Sequence, residues 1–196
     1  TPYLRRAIEL DPRVSAAAVA ALDGGGVDPS RIAATLAPIP EVLVALRRPY
    51  SEAGLADVYL DLLEERLPDG SGAVLRAYAE ACFEARQPRR ARERLESIPP
   101  FAERRVEAAR LVHAALAAIY AGDPAAAVSL AERSARSSPD DPTVLHVRGL
   151  AHLASGDAGS AVRLLKEAVA AAARAGSAAR FRAYLCSDLG RAEEKA

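Results

Sequence analysis

Apolar residues recur every three to four positions along most of the chain, with charged residues between them. This spacing is typical of amphipathic α-helices, whose apolar side chains then share one face. Stretches rich in Ala and Leu alternate with short turns that carry Gly or Pro. No segment has the strict alternation of apolar and polar residues that marks a β-strand. The pattern therefore predicts an all-α protein built from consecutive helices.

Three glycines indicate a repeat, because Gly122, Gly156 and Gly190 follow one another at a spacing of 34 residues. Each is expected to end a helix, since glycine readily adopts the left-handed conformation found there. The spacing predicts two-helix units over 72–107, 108–141 and 142–175, the first with a slightly longer loop.

Counted from the first residue of each unit, positions 8 and 20 hold small residues in all three units. Small side chains are needed where the two helices of a hairpin cross closely. We therefore expect these six residues to be buried at helix crossings: Ala79, Ala91, Ala115, Ala127, Gly149 and Ala161.

These columns, with Gly near position 15 and Pro139 at position 32, resemble the tetratricopeptide repeat (TPR) family. The resemblance implies stacked antiparallel helical hairpins that form a right-handed superhelix, an α-solenoid. The large residues usual at position 7 are mostly missing, since Arg148 and Arg182 stand there. Packing in those units is therefore expected to be less regular.

The two ends of the chain depart from the repeat. Residues 1–71 are predicted to form degenerate, irregular helical hairpins. Tyr3–Pro12 resembles the end of a second helix, which predicts an array that begins upstream. Val14–Leu22 predicts a short helix that three glycines end. Residues 176–196 are predicted to be a capping helix or the start of a further repeat, with Gly190 separating two helices.

Composition and charge argue against some classes of function. The formal net charge is zero, which argues against a nucleic-acid binder, because phosphate recognition usually leaves a basic excess. No run approaches the roughly 20 apolar residues of a membrane span. Cys82 and Cys186 both fall at position 11 of their units, where burial and inertness are expected. Two distant cysteines favour a reducing, cytoplasmic compartment, and the Ala, Arg, Gly and Pro bias suggests a bacterial genome.

No residue cluster points to catalysis. The triple glycine at 24–26 lacks the Lys-Ser/Thr of a phosphate-binding loop. His113 and His146 fall on neighbouring first helices, but structural zinc takes about four ligands, so histidines that face a groove are favoured. The arginines between Arg86 and Arg94 are interspersed with glutamates, which favours a salt-bridged surface over a docking patch. We predict no catalytic residue, no cofactor and no metal, and therefore no enzyme.

The TPR resemblance implies a scaffold or adaptor that binds a segment of another protein in a concave groove of first helices. Members that hold a peptide's C-terminal carboxylate use Asn and Lys or Arg there, and this chain has no Asn. An apolar or amphipathic segment is therefore the expected partner. A regulatory or sensory arm of a larger signalling protein, such as a transcription activator or kinase, is the alternative, and an enzyme has the least support. The predicted groove residues are Arg76, Glu80, Phe83, Val112, His113, Leu116, Tyr120, Thr143, His146, Leu150 and Leu153.

Overall fold

The computed structural model describes residues 6–8, 11, 15–36 and 39–196. All regular structure in these ranges is helical, which confirms the predicted all-α class. The helix end predicted at Pro12 and the helix start predicted at Val14 both lie outside the described residues. The α-helices are α1 (Ser15–Gly24), α2 (Pro29–Leu36), α3 (Pro40–Ala45), α4 (Arg47–Glu52), α5 (Ala56–Arg66), α6 (Gly72–Glu84), α7 (Pro88–Ser97), α8 (Arg104–Tyr120), α9 (Pro124–Ser137), α10 (Pro142–Ala154), α11 (Ala158–Arg174) and α12 (Ala179–Glu193).

The chain divides into two compact units, Thr1–Ala85 and Arg86–Ala196, called unit 1 and unit 2 below. The division falls inside the predicted repeat 72–107, between its two helices. The boundaries of the repeats remain predictions.

Unit 1 packs short helices around buried aromatic residues. Contacts join α1 to α2 and α3, α3 to α6, and α5 to both α4 and α6. The Tyr50 and Tyr59 ring centroids lie 5.6 Å apart, and both side chains are buried. The Tyr59 hydroxyl donates to the carbonyl of Leu43 at 2.9 Å, which satisfies its only polar atom. This hydrogen bond holds α5 against α3.

Unit 2 contains the regular hairpins α8–α9 and α10–α11. Gly122 and Gly156 end α8 and α10 in the left-handed conformation, with φ of 75° and 86°. The following residues, Asp123 and Asp157, accept hydrogen bonds from backbone N–H groups of the next helix. An aspartate in this place satisfies donors that the helix leaves unpaired. The turn Gly-Asp therefore both stops one helix and starts the next.

The six small residues at the predicted crossings are all buried, which confirms that prediction. Gly149 shows why size matters, because a Cβ atom built there would lie 2.7 Å from Cγ of Leu165 on α11. No real side chain could occupy that space without displacing Leu165.

Arg148, at the position where the repeat usually has a large residue, forms an ion pair between hairpins. Its Nε and Nη2 atoms donate to Glu132 of α9 at 3.0–3.1 Å. Arg92 similarly joins α7 to Asp123, with Nη1 and Oδ2 2.6 Å apart. Part of the arginine cluster is thus salt-bridged, as the sequence predicted.

The prediction for the C-terminal segment was wrong in one respect. Helix α12 is continuous through Gly190, and the left-handed turn before it is made by Gly176, with φ of 62°. The Ala-rich α11 has no proline near its end and continues to Arg174. The turn that follows is therefore at Gly176, a position that the 34-residue glycine spacing does not predict.

Cys186 also differs from its prediction, because it is exposed, whereas Cys82 is buried. Helix α12 packs through Phe181 and Leu185 on one cluster with α11, and through Ala192 on another. Cys186 lies on the other side of α12.

Candidate partner-binding surface

The first helices of the two hairpins in unit 2, α8 and α10, form one layer together with α12. Helix α10 contacts both α8 and α12, while α9 and α11 each contact the first helices on either side of them in the chain. This two-layer order leaves one face of α8, α10 and α12 without second helices.

Exposed aromatic side chains distinguish this layer. Among the described residues, the exposed large hydrophobic side chains are Val58, Tyr120 and Tyr184. Tyr120 ends α8 and is 63% exposed, and Tyr184 lies on α12 and is 55% exposed. Two of the three thus lie on first helices of unit 2.

Arg191 lies on α12, the helix that also carries Tyr184. The hydrogen bond that Arg191 donates to Asp188 is the largest cause of the raised pKa of its guanidinium, followed by the charge of Asp188. The charges of Tyr184 and Tyr120 make smaller contributions in the same direction.

A buried polar pair packs against Tyr184. His146 Nε2 is 2.6 Å from Oδ2 of Asp188, and both side chains are buried. The imidazole also meets the rings of Phe181 and Tyr184 edge-on, with centroids 6.1 and 5.7 Å apart. A buried carboxylate needs such partners, because an unsatisfied buried charge is costly. The pair therefore attaches α12 to α10.

The other predicted groove residues of unit 2 differ in how accessible they are. Val112 is buried, as His146 is, so neither offers an open side chain to a partner. Leu153 packs against the core cluster that includes Leu165. Thr143 is exposed, while the half-buried members are His113, Leu116 and Leu150. We call Leu116, Tyr120, Thr143, Leu150 and Tyr184 the first-helix surface.

The groove residues predicted in unit 1 have a different environment. Glu80 accepts a hydrogen bond from Arg47 of α4 at 3.0 Å, and Arg47 also binds Glu84. Arg76 is exposed and Phe83 is half-buried. The carboxylate of Glu80 is thus already engaged by the protein's own chain.

Sequence reasoning missed Tyr184, Asp188 and Arg191. Their spacing of four and three residues places them on one side of a helix, a signal that was available. The assumption that Gly190 ends a helix hid it, because Arg191 was then assigned to a separate segment.

No group of three His, Cys, Asp or Glu side chains in the described part of the chain could hold a metal ion. The same ranges contain no helix with the length and apolar character needed to cross a membrane.

Eleven chains of known structure match this one, among them the following two. One belongs to the crystal structure of the APC/C hetero-tetramer Cut9-Hcn1, with a TM-score of 0.62 and 14% identity over 96% of this chain. The alignment spans 38% of that longer chain. The other, the MamA protein, has a TM-score of 0.49 and 16% identity, with 82% of this chain and 93% of that chain covered.

The likeness to the Cut9-Hcn1 chain concerns the fold alone. Together with the buried small residues and the Gly-Asp turns, it shows a TPR-like fold of helical hairpins. No protein-family model and no curated protein matches the sequence.

Proposed function

We propose that this chain is a protein-interaction scaffold or adaptor that binds a segment of a partner protein on the first-helix surface. The observation that carries the proposal is the pair of exposed tyrosines, Tyr120 on α8 and Tyr184 on α12. Tyrosine is enriched in protein interfaces, because one side chain offers both a large apolar ring and a hydroxyl.

The chemistry of the surface indicates an apolar or amphipathic partner. Leu116 and Leu150 add half-buried aliphatic area, and Arg191 is engaged by Asp188. A surface of this kind suits the apolar face of a helix or an apolar extended segment. With zero formal net charge, the chain has no basic excess for nucleic acid.

One further observation supports this class of function, because the Cut9-Hcn1 neighbour was crystallised as a hetero-tetramer, an assembly with another protein. We also propose a cytoplasmic location, with which the lack of a disulfide at Cys82 and Cys186 is consistent. We propose no catalytic role.

The experiment compares capture of partner proteins from the native host by the wild-type chain and by a Leu116→Glu, Leu150→Glu double variant. Both positions are half-buried, so the charges should prevent apolar contact there while circular dichroism verifies the fold. The matched control, Ala125→Glu with Ala170→Glu, adds the same charges at exposed positions of α9 and α11. We expect the first variant to lose the captured protein and the control to retain it. Equal capture by both folded variants would move the site away from the first-helix surface.

A further inference from the structure

A cleft in unit 1 offers a second surface, distinct from the first-helix surface. It lies between α2 and α5 and has a volume of about 380 Å³. Ala33 and Ala34 of α2 line it on one side, and Val58 and Leu62 of α5 line it on the other. The side chains that form most of its walls are therefore apolar.

The apolar wall on α5 is open to solvent. Val58 is 47% exposed, and Leu62 is half-buried. The two residues are four positions apart, so they follow each other along one face of the helix. They form a short apolar strip that no described helix covers.

A row of carboxylates borders this strip. Asp57, Asp61 and Glu65 also follow one another at intervals of four residues along α5, and the last two line the cleft. The one basic residue of the lining is Arg66, whose Nη1 lies 3.9 Å from Asp69. The edge of the cleft along α5 is thus acidic.

We propose that the cleft between α2 and α5 docks an amphipathic helix of a partner protein, with apolar residues on Val58 and Leu62 and Lys or Arg along the carboxylate row. The parallel apolar and acidic rows select this occupant, because a basic amphipathic helix presents the matching pair of rows. An acidic helix would place like charges opposite Asp57 and Glu65, and a purely apolar helix would offer them no opposite charge. This inference goes beyond the proposed function, since it assigns a second partner site to the other unit.

Two synthetic helical peptides provide the probe. They share one apolar face, but one carries Lys and the other Glu beside it, and each carries a single Trp. Because the protein contains no Trp, the fluorescence of the peptide reports binding to the full chain directly. We expect the Lys peptide to bind and its affinity to fall as salt is added, since exposed charges are screened. The Glu peptide should not bind.

Variants then locate the site. Val58→Asp should weaken the Lys peptide by about tenfold or more, and Asp57→Lys with Glu65→Lys should abolish its binding and allow the Glu peptide to bind. The charge-matched control, Glu93→Lys with Glu194→Lys, changes exposed residues of unit 2 and should leave binding unchanged. All changed positions are exposed, and circular dichroism confirms that each variant folds.

Three results would overturn the proposal. The first is the absence of Lys-peptide binding up to about 1 mM. The second is equal binding of both peptides, which would show that the acidic row selects nothing. The third is undiminished binding by folded Val58→Asp, which would place the peptide elsewhere.

Discussion

Unit 1 and unit 2 are both helical, but they solve helix packing in different ways. In unit 2 the helices are long, α8 and α11 having 17 residues each, and aspartate side chains cap α9, α10 and α11. In unit 1, α3 and α4 have six residues each, and neither start has a side-chain cap. The long, regular hairpins of unit 2 thus coincide with aspartate-capped helix starts, which α3 and α4 of unit 1 lack.

The cores of the two units also differ in the size of the side chains that fill them. Unit 2 brings helices together over small residues such as Ala127, Gly149 and Ala161. Unit 1 instead buries the large side chains of Tyr59 and Tyr78, whose hydroxyls donate hydrogen bonds to Leu43 and Glu64. Burial is the main cause of the raised pKa of both tyrosines. Enlarging a buried small side chain should therefore destabilise unit 2, whereas truncating a buried aromatic side chain should destabilise unit 1.

The largest expected effect is in unit 1. Tyr59→Ala should lower the free energy of unfolding by about 3–5 kcal/mol, because it empties a buried aromatic position. Tyr59→Phe keeps the ring and should cost only about 1 kcal/mol for the lost hydrogen bond. Urea unfolding of both variants measures the difference. Equal, small losses would show that Tyr59 does not hold this core together.

A smaller loss is expected from added volume in unit 2. Gly149→Ala should cost about 1–3 kcal/mol, since the new methyl group would overlap Leu165. Gly159→Ala in α11 is the matched control, because its Cβ would meet only an Asp157 oxygen at 3.9 Å. That change should be neutral or stabilising, as alanine is the better helix former. If Gly149→Ala is equally tolerated in thermal unfolding, the close crossing of α10 and α11 is wrong.

The aspartate caps of unit 2 should make part of its stability depend on pH. The pKa of Asp123 is lowered, first by the hydrogen bond from the backbone of Ala126 and then by that from Arg92. Because the pKa of Asp123 is lower in the folded state than in the unfolded state, its ionised carboxylate stabilises the fold fully above the unfolded pKa, near 3.9. This stabilisation is lost as the pH falls through the folded pKa. The melting temperature of Asp123→Ala should therefore lie below that of the wild type at pH 7. The gap should narrow below about pH 4, and a gap independent of pH would contradict the ionised cap.

The smallest effect concerns Arg86, which follows α6. It occupies the repeat position held by Gly122 and Gly156, and its φ is 57°, in the left-handed region that disfavours residues with a Cβ atom. Arg86→Gly should therefore stabilise the chain by about 0.5–1 kcal/mol, while Gly122→Ala should destabilise it. Differential scanning calorimetry of the two variants gives the signs, and a destabilised Arg86→Gly would mean that the arginine side chain itself contributes.

The sequence predicted the elements whose signals are local. Gly122 and Gly156 end helices because a left-handed residue is needed there, and the burial of Ala127 and Ala161 follows from their place in the repeat. The prediction for Gly190 was wrong, because glycine inside a helix costs only about 1 kcal/mol relative to alanine. Helix α12 continues through it, and Leu185 and Ala192 pack against the core on either side.

Accessibility could not be predicted in the same way. His146 was assigned to the groove, but Asp188 of α12 pairs with it, a contact between residues 42 positions apart in sequence. Likewise, Arg47 engages Glu80 across unit 1. Such pairings depend on how helices of different lengths pack, which the repeat pattern of one hairpin does not contain.

The most direct test of the central claim is site-specific photo-crosslinking to the captured partner. A photoreactive amino acid replaces Tyr120 on the first-helix surface in one variant and Arg163, an exposed residue of α11, in a second. We expect the partner to cross-link from position 120 and not from position 163. Cross-linking from position 163 with none from position 120 would contradict the assignment of the first-helix surface as the binding site.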